Sequence, residues 1–505
     1  MTRQPAIGVL DLGAASGKLF VLTRAGPSLR LEEVYRFAHD PSSFWQANQV
    51  TGGEPRFRRC WDFLRLYEGT LAGLRKIAAR GDLELTSLGI DTWGSDGMWI
   101  SPDGDLLGLV ATGRDHRWLQ ARTEILRQIP ARELFFRTGV QSHPFNVLNQ
   151  IYWYAHHAPR LVEAAATYLS VGGLLTYYLT GRRVAEYTWM STTQLCSLGK
   201  AQYDAELFER LHLPLAKMPP LVLPGERLGP CLLSVAAEVG LKPFEVIVPA
   251  AHDTACAYAA APIAPGRTPL LLSTGTWFLA GVNLPEPRVS DEAFADGFTN
   301  EGGLEGTRFL KNIMGFWPAQ ELRRQWSKQD GQEMSWGDFS AMAARGKPFA
   351  CVLDINDESF YSPPNMEGAI GDFCRRTGQA PPTDRAQAAR AVLEGLAMEV
   401  ADTARACARI SGRAIDEILI VGGAVRNPLL CQWIADASGL AVRTGPADAT
   451  AAGNALVQAQ AIGWTSSLAQ GRTALCAASA QSQYQPQGGV ETWRRARQRV
   501  KENPA

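Results

Sequence analysis

Residues 6–24, AIGVLDLGAASGKLFVLTR, decide the fold reading: an apolar stretch alternating as a half-buried strand does, a small-residue turn through Gly17, and a second apolar stretch. The pattern predicts a hairpin. Residues 61–82, WDFLRLYEGTLAGLRKIAARGD, come next, and Leu64, Tyr67, Leu71, Leu74 and Ala78 recur at spacings of three and four, which predicts one face of a helix. SLGID, residues 87–91, reads as a short buried strand. From Phe244 the theme restarts with FEVIVPAAHD and LLLSTGTW, each a strand running into a polar end. RAVLEGLAMEVADTARACARI then predicts a long helix, EILIVGG a buried strand, and NPLLCQWIADASG a helix capped by Asn427 and ended by Gly439. Strand, glycine turn and helix recur in both halves, which points to a duplicated α/β architecture.

A chain of 505 residues exceeds one compact core and predicts two large domains. The Pro- and Gly-rich segment 218–230, MPPLVLPGERLGP, reads as a connection ahead of the second domain, giving segments 1–245, 246–470 and a tail, 471–505, of lower order. Lys plus Arg and Asp plus Glu number 50 each, so no sequence-wide field favours nucleic acid or an anionic membrane, and a small-molecule partner is expected. The nine cysteines form no C-x-x-C pair and the seven histidines no zinc spacing, which predicts reduced structural thiols. No signal-peptide h-region or membrane-length apolar run occurs, so a cytoplasmic protein is expected, either monomer or homodimer.

Five polar turns follow apolar strands. DLGAASGK, residues 11–18, joins a carboxylate to small residues whose N–H groups can approach a phosphate, with Ser16 and Lys18 at hand. Its spacing is not that of a Walker loop, and an ordinary hairpin turn accounts for it as well. GIDTWGSD, residues 89–96, puts Asp91, Trp93, Gly94 and Asp96 at a strand end, where Trp93 either stacks on a sugar or is buried beside a satisfied aspartate. AAHDTA, residues 250–255, places His252, Asp253 and Thr254 after a buried strand. Asp253 suits the proton acceptor of a hydroxyl attacking a γ-phosphate, and also suits the N-cap of the following helix; the two roles are compatible. LSTGTW, residues 272–277, offers Thr274, Gly275 and Thr276 to phosphate oxygens, and IVGGAVRN, residues 420–427, offers bare backbone at Gly422 and Gly423 to a base and ribose, or a plain helix-start turn. His156, His157 and Cys256 read as structural.

The ordered set DLGAASGK, GIDTWGSD, PFNVLNQ, EYTWMSTTQ, HDTA, STGTW, FTNEGG, FLKNIMGFW and IVGGAVRN, spread over residues 6–462, resembles the FGGY carbohydrate kinases and, within them, the rhamnulokinase branch. The resemblance implies two ribonuclease-H-like domains of the actin and sugar-kinase superfamily that close over a sugar and ATP. It implies ATP-dependent phosphorylation of a ketose, L-rhamnulose to L-rhamnulose 1-phosphate, with L-fuculose, L-ribulose and D-xylulose as alternative acceptors and a nonenzymatic sensor or an actin-like ATPase as rivals. By position, Ala14, Ala15, Ser16, Gly17 and Lys18 match the first phosphate loop, with Asp11 near Mg²⁺. Gly94, His252, Asp253, Thr254 and Asn312 match sugar contacts, Asp253 the general base, and Thr276, Gln320 and Gly423 the ATP contacts. Ser95, Trp189, Met190, Ala424 and Ala15 depart from the family's usual residues, the first three at positions expected on the sugar side.

Overall fold

In the computed structural model, which describes residues 3–14, 16–48, 53–476 and 481–502, the opening stretch is the predicted hairpin. Strand β1 (Gln4–Leu12) pairs antiparallel with β2 (Ser16–Ala25), setting Asp11 opposite Lys18. On its other side β1 pairs parallel with β4 (Leu83–Thr92), setting Asp11 level with Asp91. With β3 (Ser28–Ala38), β5 (Arg227–Pro230) and β6 (Glu245–Ile247), they form a six-stranded sheet in the order β5-β6-β4-β1-β2-β3. The alternation in β1 is not one of wet and dry faces: Ala6–Leu12 are all buried, because the strand is central and helices cover both faces.

Helix α1 (Phe63–Ala78) covers one face. A Cβ at Gly73 would stand 2.5 Å from the Leu19 side chain, and one at Gly69 2.4 Å from the Phe37 ring. The buried stripe of α1 is Phe63, Leu66, Thr70, Leu74 and Ile77, joined by Leu71 and Gly73. This corrects the predicted face, since Leu64 is 68% exposed and only Leu71 and Leu74 are shared. Two interleaved sets satisfy the helical spacing, and the one with Phe63, Leu66 and Ile77 buries more apolar surface.

The structure forms two compact units, and neither is one run of sequence. The first comprises Met1–Ala260, Asn283–Phe309 and Thr450–Ser479; the second comprises Ala261–Val282, Leu310–Ala449 and Ala480–Ala505. The chain passes between them several times, whereas the segments read from the sequence are consecutive. The segment 218–230 is not a bare connection, for β5 pairs antiparallel with β6 at the edge of the first sheet. Helix α3 (Asp253–Ala260) carries the HDTA motif, the short helix α2 (Tyr187–Met190) the TWM residues, and strands β9 (Phe298–Gly302) and β10 (Thr307–Ile313) the FTNEGG and FLKNI residues.

The second unit repeats the wiring of the first. Strand β7 (Pro269–Thr274) pairs antiparallel with β8 (Phe278–Leu284) and parallel with β11 (Glu417–Gly422), which pairs parallel with β12 (Ala441–Thr444). Helices α4 (Trp317–Asp330), α5 (Arg385–Ser411) and α6 (Pro428–Ser438) include the two that the sequence predicts, with Asn427 Oδ1 accepting from Leu430 N at 3.1 Å and Gly439 ending α6 at φ 74°. The tail is more ordered than expected: β13 (Gln483–Tyr484) pairs with β12, and Arg497 of the final helix Val490–Glu502 reaches the buried Glu399 at 2.6 Å and Asp402 at 3.0 Å. Among the described residues no helix is long and apolar enough to cross a membrane, and Cys60, Cys196, Cys231, Cys256, Cys351, Cys374, Cys407 and Cys431 are free and buried.

Helix α7 (Ala449–Ala461) covers the other face of the first sheet, where Gln458 Nε2 donates to the Gly8 carbonyl at 2.9 Å. It meets α3 so closely that a Cβ at Gly453 would lie 1.8 Å from the Cys256 carbonyl oxygen. Gly453→Ala is therefore expected to cost about 1–3 kcal/mol of stability by forcing the helices apart, whereas Gly81→Ala, with nothing within 4 Å, should change stability by no more than about 0.5 kcal/mol. Denaturant midpoints of the two variants check this.

Candidate functional site

The first unit gathers its polar turns at the ends of β1 and β4. Asp91 is wholly buried; its Oδ2 accepts from Asn454 Nδ2 at 2.7 Å, and its Oδ1 has no hydrogen-bond partner. Burial, and after it the neighbouring Asp11 carboxylate, push the Asp91 carboxyl well above its ordinary range, with Asn454 opposing them. Asp11 is buried and ion-paired with Lys18 at 3.4 Å. In the first loop Gly13 N donates to the Ser16 carbonyl at 3.1 Å, leaving Ala14 exposed and Ser16 half-buried. Gly17 lies directly against Phe37, for a Cβ there would stand 2.3 Å from the ring and force it to move. Ala15 lies outside the described residues.

Backbone pairing brings the HDTA turn to the same strand end, for Thr92 N donates to the Ala251 carbonyl at 2.9 Å. Asp253 is the first residue of α3, and the carbonyl at the helix start is that of His252, which accepts from Cys256 N at 3.1 Å. The predicted capping position thus falls one residue earlier. Asp253 Oδ1 accepts from Thr254 N at 2.5 Å and from Thr254 Oγ1 at 3.1 Å, and lies 3.3 Å from His252 Nε2. Among the described residues no hydrogen bond to Asp253 Oδ2 is made, and the side chain is 32% exposed. Gly94 stands over His252, where a Cβ would lie 2.7 Å from Nε2. The structure therefore brings Gly94, His252, Asp253 and Thr254 together.

Behind this turn lies a set of buried charges. Glu186 receives Ala251 N at 2.9 Å, Thr188 N at 2.6 Å, Thr188 Oγ1 at 2.7 Å and Trp189 N at 3.0 Å, so one carboxylate ties α2 to the residue before His252. Glu301 on β9 and Arg308 on β10 are buried 3.0 Å apart. Burial raises the Glu301 carboxyl, and its neighbours, the Arg308 guanidinium foremost, more than reverse this, leaving it below its ordinary range. Sequence reading missed Glu186, Glu301, Arg308 and Asn454. For Glu186, Glu301 and Arg308 the available signal was a charge within a strand, since a buried Glu or Arg demands a partner; Asn454, a neutral residue on α7, gave none.

Trp93 is a buried residue and not an exposed platform: it packs against Trp61 with centroids 4.3 Å apart, and both indole N–H groups donate to Asp96 Oδ2, at 2.7 Å from Trp61 and 3.0 Å from Trp93. Trp189 and Met190 are also buried, the Trp189 indole donating to the Trp93 carbonyl at 2.9 Å and so bracing the turn into Gly94.

In the second unit Thr274 joins two loops. Its Oγ1 donates to the Val421 carbonyl at 2.6 Å and accepts from Ala424 N at 2.9 Å, and Gly422, at φ 86°, passes so close that a Cβ would be 2.4 Å from the Thr274 carbonyl oxygen. Gly275 and Gly423 are exposed beside this junction. Gln320 Nε2 donates to Thr276 Oγ1 at 3.4 Å, while Phe316 N and Trp317 N donate to the Gly275 and Thr276 carbonyls, each at 3.2 Å, so the STGTW loop is seated at the start of α4. Thr276 and Gly423 thus lie on these joined loops, and Gln320 in the first turn of α4 beside them. Asn312 is half-buried on β10, in the stretch assigned to the second unit.

The donor set fits both expected ligands. Mg²⁺ keeps most of its water and needs one or two carboxylates, and Asp11, level with Asp91 whose Oδ1 has no hydrogen-bond partner, is a residue that would meet that need; among the described residues no cluster of three metal-ligating side chains occurs. Glycine-lined loops with exposed backbone suit phosphate.

Comparison with known proteins accords with this arrangement. Residues 7–259 match the model of the FGGY family of carbohydrate kinases, N-terminal domain, and residues 270–462 that of its C-terminal domain. A rhamnulokinase of Bacteroides thetaiotaomicron is 35% identical over 95% of each chain, and one of Oceanobacillus iheyensis is 33% identical over 92% of this chain and 94% of that one. Among solved structures, a ligand-bound xylulose kinase from Lactobacillus acidophilus superposes with a TM-score of 0.76 at 14% identity, covering 99% of this chain and 97% of that one. Plasmodium falciparum glycerol kinase with ADP superposes with a TM-score of 0.75 at 14% identity, covering 100% and 99%. These structural neighbours bear out the two-part actin-like α/β fold.

The raised Asp91 carboxyl has a consequence for stability. Its folded pKa exceeds the unperturbed 3.8, so the stability it contributes is full below that value and is lost as pH rises through the folded pKa. Asp91→Asn, which still accepts from Asn454, escapes the loss. Denaturation at stepped pH is expected to show the variant gaining on the native protein from about pH 4 towards neutrality; a difference independent of pH would contradict the assignment.

Proposed function

Because the chain belongs to the FGGY family of carbohydrate kinases, we propose that it transfers the γ-phosphoryl group of ATP to the primary hydroxyl of L-rhamnulose, giving L-rhamnulose 1-phosphate, with Asp253 as general base. The observation that carries the reading is the Asp253 carboxylate: one oxygen is engaged by Thr254, and the half-exposed group stands beside His252 and Gly94 at the head of α3. The choice of sugar is supported by relatives named rhamnulokinase at 33–35% identity over about nine-tenths of the chain.

Thr254 holds Asp253 Oδ1, which orients the carboxylate and leaves Oδ2 to take the proton of the attacking hydroxyl as the new O–P bond forms. Gly94, His252, Thr254 and Asn312 are assigned to the sugar. Ala14, Ala15, Ser16, Gly17 and Lys18 are assigned to the phosphates, and Thr276, Gln320 and Gly423 to the nucleotide. N–H groups of such loops, aimed at oxygens that gain charge in transfer, lower the barrier because they need no reorganisation. Asp11 would hold Mg²⁺, which when bound supplies positive charge to the phosphate oxygens. The use of ATP supports a cytoplasmic setting.

The test is Mg²⁺-dependent ADP release across L-rhamnulose, L-fuculose, L-ribulose, D-xylulose and glycerol, with Asp253→Asn as the blank. L-rhamnulose is expected to give the highest kcat/KM, and the variant to bind ATP normally while losing at least about 100-fold in kcat. Preference for another sugar would move the substrate assignment, near-normal turnover of Asp253→Asn would remove the proposed base, and silence across the panel would favour a sensor. Chelation of Mg²⁺ with EDTA should abolish turnover, and added Mg²⁺ should restore it.

A further inference from the structure

Arg308 is 1% exposed, and its donors all have partners nearby. Nε donates to the Gly302 carbonyl at 2.9 Å and Nη2 to the Thr188 carbonyl at 3.3 Å, while Nη1 and Nη2 stand 3.2 and 3.3 Å from His252 Nδ1. Glu301 Oε2 lies 3.0 Å from Arg308 Nη1 and 3.5 Å from His252 Nδ1, and serves as a counter-charge out of line for a hydrogen bond to either. A guanidinium donates and cannot accept. His252 Nδ1 must therefore present its lone pair to Arg308, and a neutral imidazole then carries its one proton on Nε2. A proton on Nδ1 would set N–H against N–H and cation against cation. Nε2 faces Asp253 Oδ1 at 3.3 Å and the space left open by Gly94.

We propose that Arg308, balanced by Glu301, is a positioning residue that holds His252 neutral with its proton on Nε2, so that a donor of fixed direction stands beside the acceptor carboxylate of Asp253. The inference rests on the reading of Asp253 as the base. Asp253 takes the proton of the attacking hydroxyl, and His252 Nε2–H donates to a neighbouring oxygen of the same sugar. One donor beside one acceptor selects a sugar that offers a lone pair next to its reacting hydroxyl; the other tautomer would present two acceptors and leave that oxygen unpaired. Loss of one such bond corresponds to about a 10-fold fall in kcat/KM.

Long-range ¹H–¹⁵N spectra of the full chain labelled at histidine, recorded at neutral pH, read the tautomer without reference to turnover. The native protein is expected to show His252 as the neutral Nε2–H form. The double variant Arg308→Met/Glu301→Gln removes both buried charges together and strands neither. It is expected to give mixed or Nδ1–H tautomers and about a 10-fold or greater loss of kcat/KM for the sugar, with KM for ATP unchanged. Arg308→Lys, which keeps a charged donor, should preserve the Nε2–H form. A native His252 that is Nδ1–H or doubly protonated, or a double variant that keeps the Nε2–H form, overturns the proposal. Full activity of Asp253→Asn would instead remove the base, a failure separate from that of the tautomer.

Discussion

A carboxylate buried in the first unit must find donors or a counter-charge, or give up its charge, and that constraint organises the surroundings of Asp253. Glu186 meets it with four donors, and in doing so binds helix α2 to the backbone just before His252. Glu301 meets it with Arg308, which also faces His252. Asp91 meets it only in part, through Asn454, and its carboxyl is pushed upward as a result. Glu186 and Arg308, held inside the unit, fix the backbone before His252 and its ring, beside the more exposed Asp253. The rigidity of the turn thus comes from polar groups that cannot be rearranged cheaply, because any displacement would leave a desolvated charge unpaired.

The same economy of design occurs in the second unit with a neutral group. Thr274 donates to one strand and accepts from the loop after it, so one hydroxyl joins the STGTW and IVGG turns. Both units begin from one plan, an antiparallel hairpin with a parallel strand on its far side. In that plan the hairpin turn and the end of the parallel strand lie side by side, and residues far apart in sequence become neighbours without long loops. The chain has kept the plan in both units and filled it with different chemistry: carboxylates and a histidine in the first, small hydroxyl residues and glycines in the second.

Much of this was legible in the sequence where local pattern determines structure. The opening hairpin, the long helix from Arg385, the buried strand EILIVGG and the cap at Asn427 all follow from short-range periodicity and end signals. The grouping of Gly94 with His252 and Asp253 was legible only through the family resemblance, since nothing in either motif says that Thr92 pairs with Ala251. Arg308 and Glu301 were out of reach for a related reason: their meaning lies in a contact with His252, dozens of residues away, and charge within a strand says only that some partner exists. Trp93 was legible as an alternative, and tertiary packing decided it, because Asp96 takes the indole N–H and Trp61 takes up the ring. The face of α1 was misjudged where two apolar stripes overlapped and only the sheet beneath could choose between them.

The central claim is that the Asp253 carboxylate directs the γ-phosphoryl group to a sugar hydroxyl and not to water. The most direct measurement is ³¹P NMR of the product formed from ATP and L-rhamnulose. The account predicts a phosphomonoester coupled to the two protons of C1, in amounts equal to the ADP formed; inorganic phosphate as the sole product, or a phosphate on a secondary carbon, would contradict it.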